Sequence, residues 1–280
     1  MDHYAVIGWP ITHSRSPFIH RYFASQTHQS LEYERIACEP DQFESTVNDF
    51  FYTGGKGLNV TLPFKERAYR MAQHITERVR LAQAANTLWL ENGLIHADNT
   101  DGLGLLADYQ YLNIPITGQS VLVFGAGGAV KGVLAPLLEK KPRELFIANR
   151  TESRARELID SFKQIAQINQ VEMNAGSVNH HRLLKPFDIV INATSASIKG
   201  ETLSFPNTVF AKESYVYDMS YGRELTPFLQ QARQLQVTNY YDGLGMLIEQ
   251  AAESFRIWRH CRPTTKALRE ALRREIGENS

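Results

Sequence analysis

The sequence predicts an α/β fold of two units, the second a doubly wound parallel sheet. Three observations predict it. Short apolar runs alternate with amphipathic stretches along most of the chain, the pattern of strands buried between helices. The texture changes near residue 105: before it strand and helix patterns mix around an Asn92-Gly93 hairpin signal, and after it they alternate regularly. The length of 280 residues suits one large domain or two ordinary ones.

In chain order, the apolar run 4–7 stops at Gly8 and reads as a buried strand. Ser16-Pro17 opens a helix, with Ser16 as the cap and proline at the first helical position. Residues 31–38 form a second strand, and 41–51 carry Phe43, Val47, Phe50 and Phe51 at near-helical spacing. A third strand at 57–61 is stopped by Pro63. Strands at 87–90 and 94–97 flank the Asn92-Gly93 turn, and 100–112 reads as a helix with Leu103, Leu106 and Ala107 on one face. Then follow strand 121–124, helix 128–138, strand 144–148 and helix 152–165. Later strands are expected at 171–173, 189–191, 215–217 and 237–240, and final helices at 245–259 and 264–276.

Composition excludes several classes of function. Thirty basic and thirty acidic residues give zero net charge, so a general polyanion binder is not expected. With 43% apolar and 21% charged residues the chain reads as soluble and globular. The start, Met1-Asp2-His3, is not that of a signal peptide, and the most apolar stretch, 121–130, holds three glycines and falls short of a membrane span. Cys38 and Cys261 are too few to staple the chain, and no Cys–His spacing reads as a zinc site. A cytoplasmic location is the expectation, with no metal, nucleic acid or membrane partner.

The sharpest motif is Gly125-Ala126-Gly127-Gly128-Ala129-Val130-Lys131-Gly132, directly after one strand and at the start of a helix. A dinucleotide needs such a loop: a tight turn, bare backbone beside the pyrophosphate, and N–H groups aimed at the anion. Val130 departs from the usual Gly or Ala, and the alternative is a glycine turn serving packing alone. After the next strand stand Asn149-Arg150-Thr151 and Arg154, where an NAD site would place a carboxylate. Arg150 and Arg154 suit a 2′-phosphate clamp with Thr151 donating, so NADP is preferred over NAD. The alternative leaves Thr151 a helix cap and both arginines solvated. His180-His181 are read as surface residues pointing opposite ways along an extended segment, and Gly54-Gly55-Lys56-Gly57 as a turn rather than a phosphate loop.

Four polar clusters lie at element ends in the first unit: Ser14-Arg15-Ser16, Asn59-Val60-Thr61-Leu62-Pro63-Phe64-Lys65, Asn86-Thr87 and Asn99-Thr100-Asp101-Gly102. Singly each can be a cap or a turn. Together they suit a small polyhydroxylated acid. With the glycine loop, with Asn192-Ala193-Thr194-Ser195, with 217–221 (Tyr217-Asp218-Met219-Ser220-Tyr221) and with 242–252 (Asp242-Gly243-Leu244-Gly245 onward), the chain resembles the shikimate dehydrogenase family over nearly its whole length. The glycine spacing at Val130 is also family-like.

The resemblance implies reversible NADPH-dependent reduction of 3-dehydroshikimate to shikimate, in the synthesis of aromatic amino acids. It implies Lys65 and Asp101 as the catalytic pair. It also implies Ser14, Ser16 and Tyr221 on the substrate carboxylate, and Thr61, Asn86, Asp101 and Gln250 on the ring hydroxyls with Asn59 nearby. Asn192, Thr194, Met219 and Gly243 match positions along the nicotinamide. These residue types suit the chemistry, because hydride delivery to a ketone calls for a positioned proton donor and Lys65 can serve as one. No metal is needed when a cofactor supplies the hydride.

The expected architecture is discontinuous. Residues 1–104 and 244–280 form the substrate domain, and 105–243 a Rossmann-type NADP domain. The active site is expected in the groove between them, with closure over the substrate. Three other readings stay open: a broader quinate/shikimate dehydrogenase, a non-catalytic NADP-binding module and a methyltransferase. Monomer and homodimer are both compatible with the sequence.

Overall fold

The computed structural model describes residues 1–194 and 203–278. Ser195 of the Asn192 motif lies outside them. The chain divides into two compact units, one formed by Met1–Gly104 with Leu247–Glu275, the other by Leu105–Met246 with the end from Ile276. The divisions fall inside three helices, α5 (Asp101–Leu112), α9 (Leu244–Arg259) and α10 (Lys266–Glu278).

The first unit holds six strands: β1 (Asp2–Gly8), β2 (Leu31–Ala37), β3 (Gly57–Val60), β4 (His74–Ile75), β5 (Thr87–Glu91) and β6 (Leu94–Asp98). Their order is β2-β1-β3-β5-β6-β4. The first three are parallel, linked through helices α1 (Ser16–Gln26) and α2 (Phe43–Tyr52). The hairpin then reverses direction: β5 runs antiparallel to β3 and to β6, so this sheet is mixed. Asn92 and Gly93 both take positive φ (52° and 76°), as a two-residue hairpin turn requires.

Each face of this sheet has its own cover. Ile7, Leu58, Val60 and Leu88 pack with Phe43, Val47 and Phe64. Tyr4, Val6, Ile11 and Tyr33 make a separate cluster against Trp258 of α9. The Trp258 indole donates to the Leu88 carbonyl (3.1 Å) and lies 5.0 Å from the Tyr4 ring. A Cβ on Gly57 would come within 2.5 Å of that indole, so only glycine lets the helix seat there. Ile248, Ala251, Ala252 and Phe255 of α9 are buried. A buried phenylalanine contributes about 2 kcal/mol through its apolar area alone.

The second unit also has six strands: β7 (Ser120–Phe124), β8 (Glu144–Ala148), β9 (Glu172–Gly176), β10 (Ile189–Asn192), β11 (Tyr215–Asp218) and β12 (Asn239–Asp242). All pair in parallel, in the order β12-β11-β10-β7-β8-β9. The chain steps from β7 outward to β9, then returns to β10 and steps the other way. The reversal between β7 and β10 is where a doubly wound sheet opens a crevice for a ligand. Helices α6 (Gly128–Glu139), α7 (Glu152–Asn169) and α8 (Pro227–Gln234) connect its strands.

Several expectations need correction. Ser16 is not a helix cap: Arg15 holds that position without a side-chain cap bond, and the Ser16 hydroxyl pairs with Ser14 instead. Helices α3 (Lys65–Met71), α4 (Glu77–Ala82) and α8 and strand β4 add to the expected elements. On α5 the most buried apolar side chains are Leu105 and Tyr109, not the expected face. His180 and His181 do not point apart: His181 starts a 3₁₀ turn, which brings the rings to 4.2 Å. A last helix, α10 (Lys266–Glu278), follows α9, which it joins through Arg269 Nη2 on Glu249 (2.9 Å) and the Thr265 hydroxyl on the same carboxylate (2.7 Å).

His20 of α1 lies fully buried, stacked on Tyr33 at 4.2 Å with Phe23, Phe255 and Trp258 around it. Neither ring nitrogen has a hydrogen-bond partner among the described residues. Burial drives its pKa down from 6.5 to about 3. The unfolded chain therefore takes up a proton that the folded chain refuses. The contribution of the neutral ring is intact above pH 6.5 and is lost progressively as pH falls toward 3. Between pH 7 and 5 the loss is about 2 kcal/mol. His20→Phe is expected to flatten the fall in unfolding free energy over that interval by this amount, measured by denaturant titration. Equal falls in both proteins would refute a neutral buried His20.

Candidate active site

The polar cluster of the first unit is a product of strand direction. Because β5 is antiparallel to β3 and β6, its start lies beside their ends. The register sets Asn59 opposite Thr87 and Thr87 opposite Asp98. Chain leaving β3 leads to Thr61 and Lys65, chain entering β5 carries Asn86, and chain leaving β6 carries Asn99, Thr100 and Asp101. Gln250 comes from α9.

Lys65 Nζ lies 2.6 Å from Asp101 Oδ2, with both side chains largely buried (14% and 6% exposed). Each is the first residue of its helix. A cation at the positive end of α3 is disfavoured, and the Asp101 carboxylate supplies the opposing charge. Removing either partner would leave an uncompensated buried charge. The other carboxylate oxygen, Oδ1, accepts from Asn86 Nδ2 at 2.9 Å. The orientation of that amide is determined, because the Thr100 backbone N–H donates to Asn86 Oδ1 (2.9 Å) and leaves the NH₂ group for Asp101 and Gln250 Oε1 (3.1 Å). Asn99 accepts from the Asp101 N–H (3.1 Å) and donates to the Ala84 carbonyl (2.8 Å).

Asn59 is buried, accepting from the Tyr33 hydroxyl (2.7 Å) and donating to the Asn86 carbonyl (3.1 Å). Thr61 is half-buried, its N–H is bound to Ile7, and its hydroxyl has no partner among the described residues. A Cβ on Gly8 would fall 2.5 Å from the Thr61 methyl, so glycine makes room for it. The hydroxyls of Ser14 and Ser16 are 3.2 Å apart at the N-terminus of α1, whose first turn holds no acidic residue. Two hydroxyls with the positive end of a helix suit a carboxylate. The Arg35 Nε–H holds the Ser14 carbonyl (2.8 Å). Tyr221 stands on the chain between β11 and α8, in the other unit from Ser14 and Ser16.

In the second unit the glycine loop follows β7. Gly125 has φ +115°, and a Cβ there would meet the Ala193 carbonyl at 3.2 Å. Gly127 caps α6 with nothing near its missing side chain, and no acid occupies the first turn. Bare backbone from Gly125 through Ala126, Gly127 and Gly128 to Ala129 thus presents the positive end of a helix at the strand reversal, a fit for a pyrophosphate. Arg150 and Arg154 are exposed and make no ion pair among the described residues. The neighbouring Glu152 is taken by Arg156, whose hydrogen bond holds the carboxyl below its usual range. Thr151 sits at the cap of α7 without a side-chain cap bond, and the Asn149 amide donates to its carbonyl (2.8 Å). Two free cations and an unused hydroxyl fit a phosphate on the ribose.

Asn192, Thr194, Met219 and Gly243, the residues expected along the nicotinamide, lie at or just after strand ends. Asn192 Oδ1 accepts from the N–H (3.1 Å) and hydroxyl (2.8 Å) of Thr194. The Met219 N–H donates to the Asn192 carbonyl (2.9 Å). A Cβ on Gly243 would lie 2.1 Å from the Met219 carbonyl, so this approach requires glycine.

Three contributors lie outside the motifs that the sequence singles out. Ser254 lies one helical turn after Gln250 and faces the same cluster, a signal that helical spacing offers. Tyr33 holds Asn59 from β2. Arg78 holds Asp98 with Nε at 3.0 Å and Nη2 at 2.5 Å, just before the Asn99–Asp101 turn.

Comparison with known proteins follows the same lines. Residues 6–88 match the shikimate dehydrogenase substrate binding domain, 110–242 the shikimate / quinate 5-dehydrogenase family, and 243–273 the shikimate 5′-dehydrogenase C-terminal domain. The chain is 49% identical over 277 residues to a shikimate dehydrogenase (NADP(+)) of Chromobacterium violaceum, covering 99% of each protein. An Ael1 enzyme from Pseudomonas putida is similar in structure, with TM-score 0.87, 44% identity, and coverage of 97% of this chain and 98% of that one. A shikimate 5-dehydrogenase from Thermus thermophilus, in complex with NADP(H) and shikimate, gives TM-score 0.86 at 27% identity, covering 98% and 99%. Sequence, fold and motif residues thus agree, and the chain belongs to the shikimate dehydrogenase family.

Proposed function

We propose that the protein catalyses the reversible reduction of 3-dehydroshikimate to shikimate with NADPH, a step of aromatic amino acid synthesis. The observation that carries this is the full-length similarity to an NADP-dependent shikimate dehydrogenase in a chain whose Lys65 and Asp101 are in direct contact. NADPH, when bound, supplies the hydride. Lys65, in contact with Asp101, donates the proton that the ketone oxygen needs and takes the hydroxyl proton in the reverse direction. Asn86 holds Asp101 in place. Asn86, Gln250 and Thr61 take the ring hydroxyls, with Asn59 behind them. Ser14 and Ser16 take the carboxylate with help from Tyr221.

Gly125, Ala126, Gly127, Gly128 and Ala129 cradle the pyrophosphate. Arg150 and Arg154, with Thr151 and Asn149, take the 2′-phosphate, while Asn192, Thr194, Met219 and Gly243 line the nicotinamide side. In domain terms, 1–104 with 244–280 binds substrate and 105–243 binds NADP. The protein acts in the cytoplasm as a monomer or homodimer. No helix among the described residues is long and apolar enough to cross a membrane.

The direct test is NADP reduction with shikimate, repeated with quinate and with NAD. Shikimate with NADP is expected to be the best pair. Lys65→Ala is expected to lower kcat about 10²–10⁴-fold while shikimate still binds. Undiminished turnover in that variant would remove Lys65 from the chemistry. Arg150→Ala is expected to raise KM for NADP far more than for NAD, read from initial rates with each cofactor. An equal rise for both would contradict a phosphate clamp.

A further inference from the structure

Ser254 is fully buried in the interior of α9, one turn after Gln250. Packing alone would be met there by alanine, the residue at 251 and 252. A buried hydroxyl is costly unless bonded, and serine is not a favoured helix-interior residue. Its Oγ lies 3.0 Å from Asn59 Nδ2, 2.8 Å from Thr87 Oγ1, 3.3 Å from Thr100 Oγ1 and 3.1 Å from the Gln250 carbonyl. One side chain of α9 thus touches the chain at Asn59, at Thr87 and at Thr100, the three segments that bring Lys65, Asn86 and Asp101 together.

These hydrogen bonds connect in series. Asn59 Nδ2 faces the Asn86 carbonyl, a pure acceptor, so its second N–H points to Ser254. Ser254 Oγ shares its one proton between the Gln250 carbonyl and Thr87 Oγ1, and the Thr87 hydroxyl lies 2.9 Å from Asn86 Oδ1. Asn86 Nδ2 in turn binds Asp101 Oδ1 and Gln250 Oε1. A connected hydrogen-bonded path runs from Asn59 through Ser254 and Thr87 to the groups beside Lys65. Loss of the hydroxyl leaves the buried Asn59 N–H only the longer contact to Thr87 Oγ1 at 3.4 Å, and pulls Thr87 away from Asn86.

We propose that Ser254 is a positioning residue: through Asn59, Thr87 and the helix register of Gln250, it sets the polar groups that receive the substrate's ring hydroxyls. This rests on the functional reading above. Ser254 touches neither reacting atom nor cofactor loop, so its effect should fall on shikimate and not on NADP.

The test is steady-state kinetics of Ser254→Ala with shikimate and NADP varied separately, beside wild type. The expected result is a KM for shikimate raised about tenfold with KM for NADP unchanged, a displaced subsite rather than a smaller active fraction. A merely structural role would lower kcat and move neither KM, and that result overturns the proposal. Unchanged kinetics overturn it too. Inactive wild-type protein would overturn the functional reading and this inference with it. Should Ser254→Ala fail to fold, Ser254→Cys carries the same test, since it keeps the volume and offers only a weak hydrogen-bonding thiol.

Discussion

The contact between Lys65 and Asp101 is the constraint around which the first unit is organised. A buried ammonium and carboxylate at 2.6 Å are tolerable only if each remaining lone pair and proton has a use. One carboxylate oxygen takes Lys65, and the other takes Asn86. Asn86 can serve only because the Thr100 N–H holds its oxygen away. Behind Asn86 lie Thr87, Ser254, Asn59 and Tyr33. The network draws on several strands and helices, so the reversed strand β5 is a requirement of the site. With β5 parallel, Asn86 would emerge at the opposite edge from Lys65.

The second unit is built differently, around a helix N-terminus with little side-chain chemistry beside it. Its loop after β7 offers backbone N–H groups and no acid, and Glu152, between Arg150 and Arg154 in the chain, is occupied by Arg156. Close approach is obtained with glycine where backbone meets backbone, at Gly125 against Ala193 and at Gly243 against Met219. In the proposed function, cofactor preference rests on two exposed arginines, Arg150 and Arg154. Charge neutrality of the chain as a whole says little about such a site, because it depends on two local cations.

Much of this is legible in the sequence because the strands of the second unit are short apolar runs bounded by helices. The glycine loop, Asn149-Arg150-Thr151 and the family-like runs stand at element ends, where polar residues need a reason. Helices α3 and α4 are not legible: across 65–82 only Ala68, Val79 and Ala82 are buried apolar residues, too few to show a period. Helix α8 is short, though Thr226-Pro227 is a recognisable cap and first-turn pair, and Thr226 caps it in fact. Ser16 reads as a cap because a serine before proline usually is one, whereas here the hydroxyl turns to Ser14. The roles of Ser254 and Tyr33 depend on contacts across 195 and 26 residues of chain, which no local pattern carries.

The central claim is that Lys65 and Asp101 act as one unit in proton transfer. A double-mutant cycle on kcat for shikimate oxidation, with Lys65→Ala, Asp101→Ala and the combined variant, tests it most directly. The account predicts that the combined variant is no slower than the slower single variant, because either change alone already dismantles the pair. Losses that multiply would show two independent contributions and would contradict it.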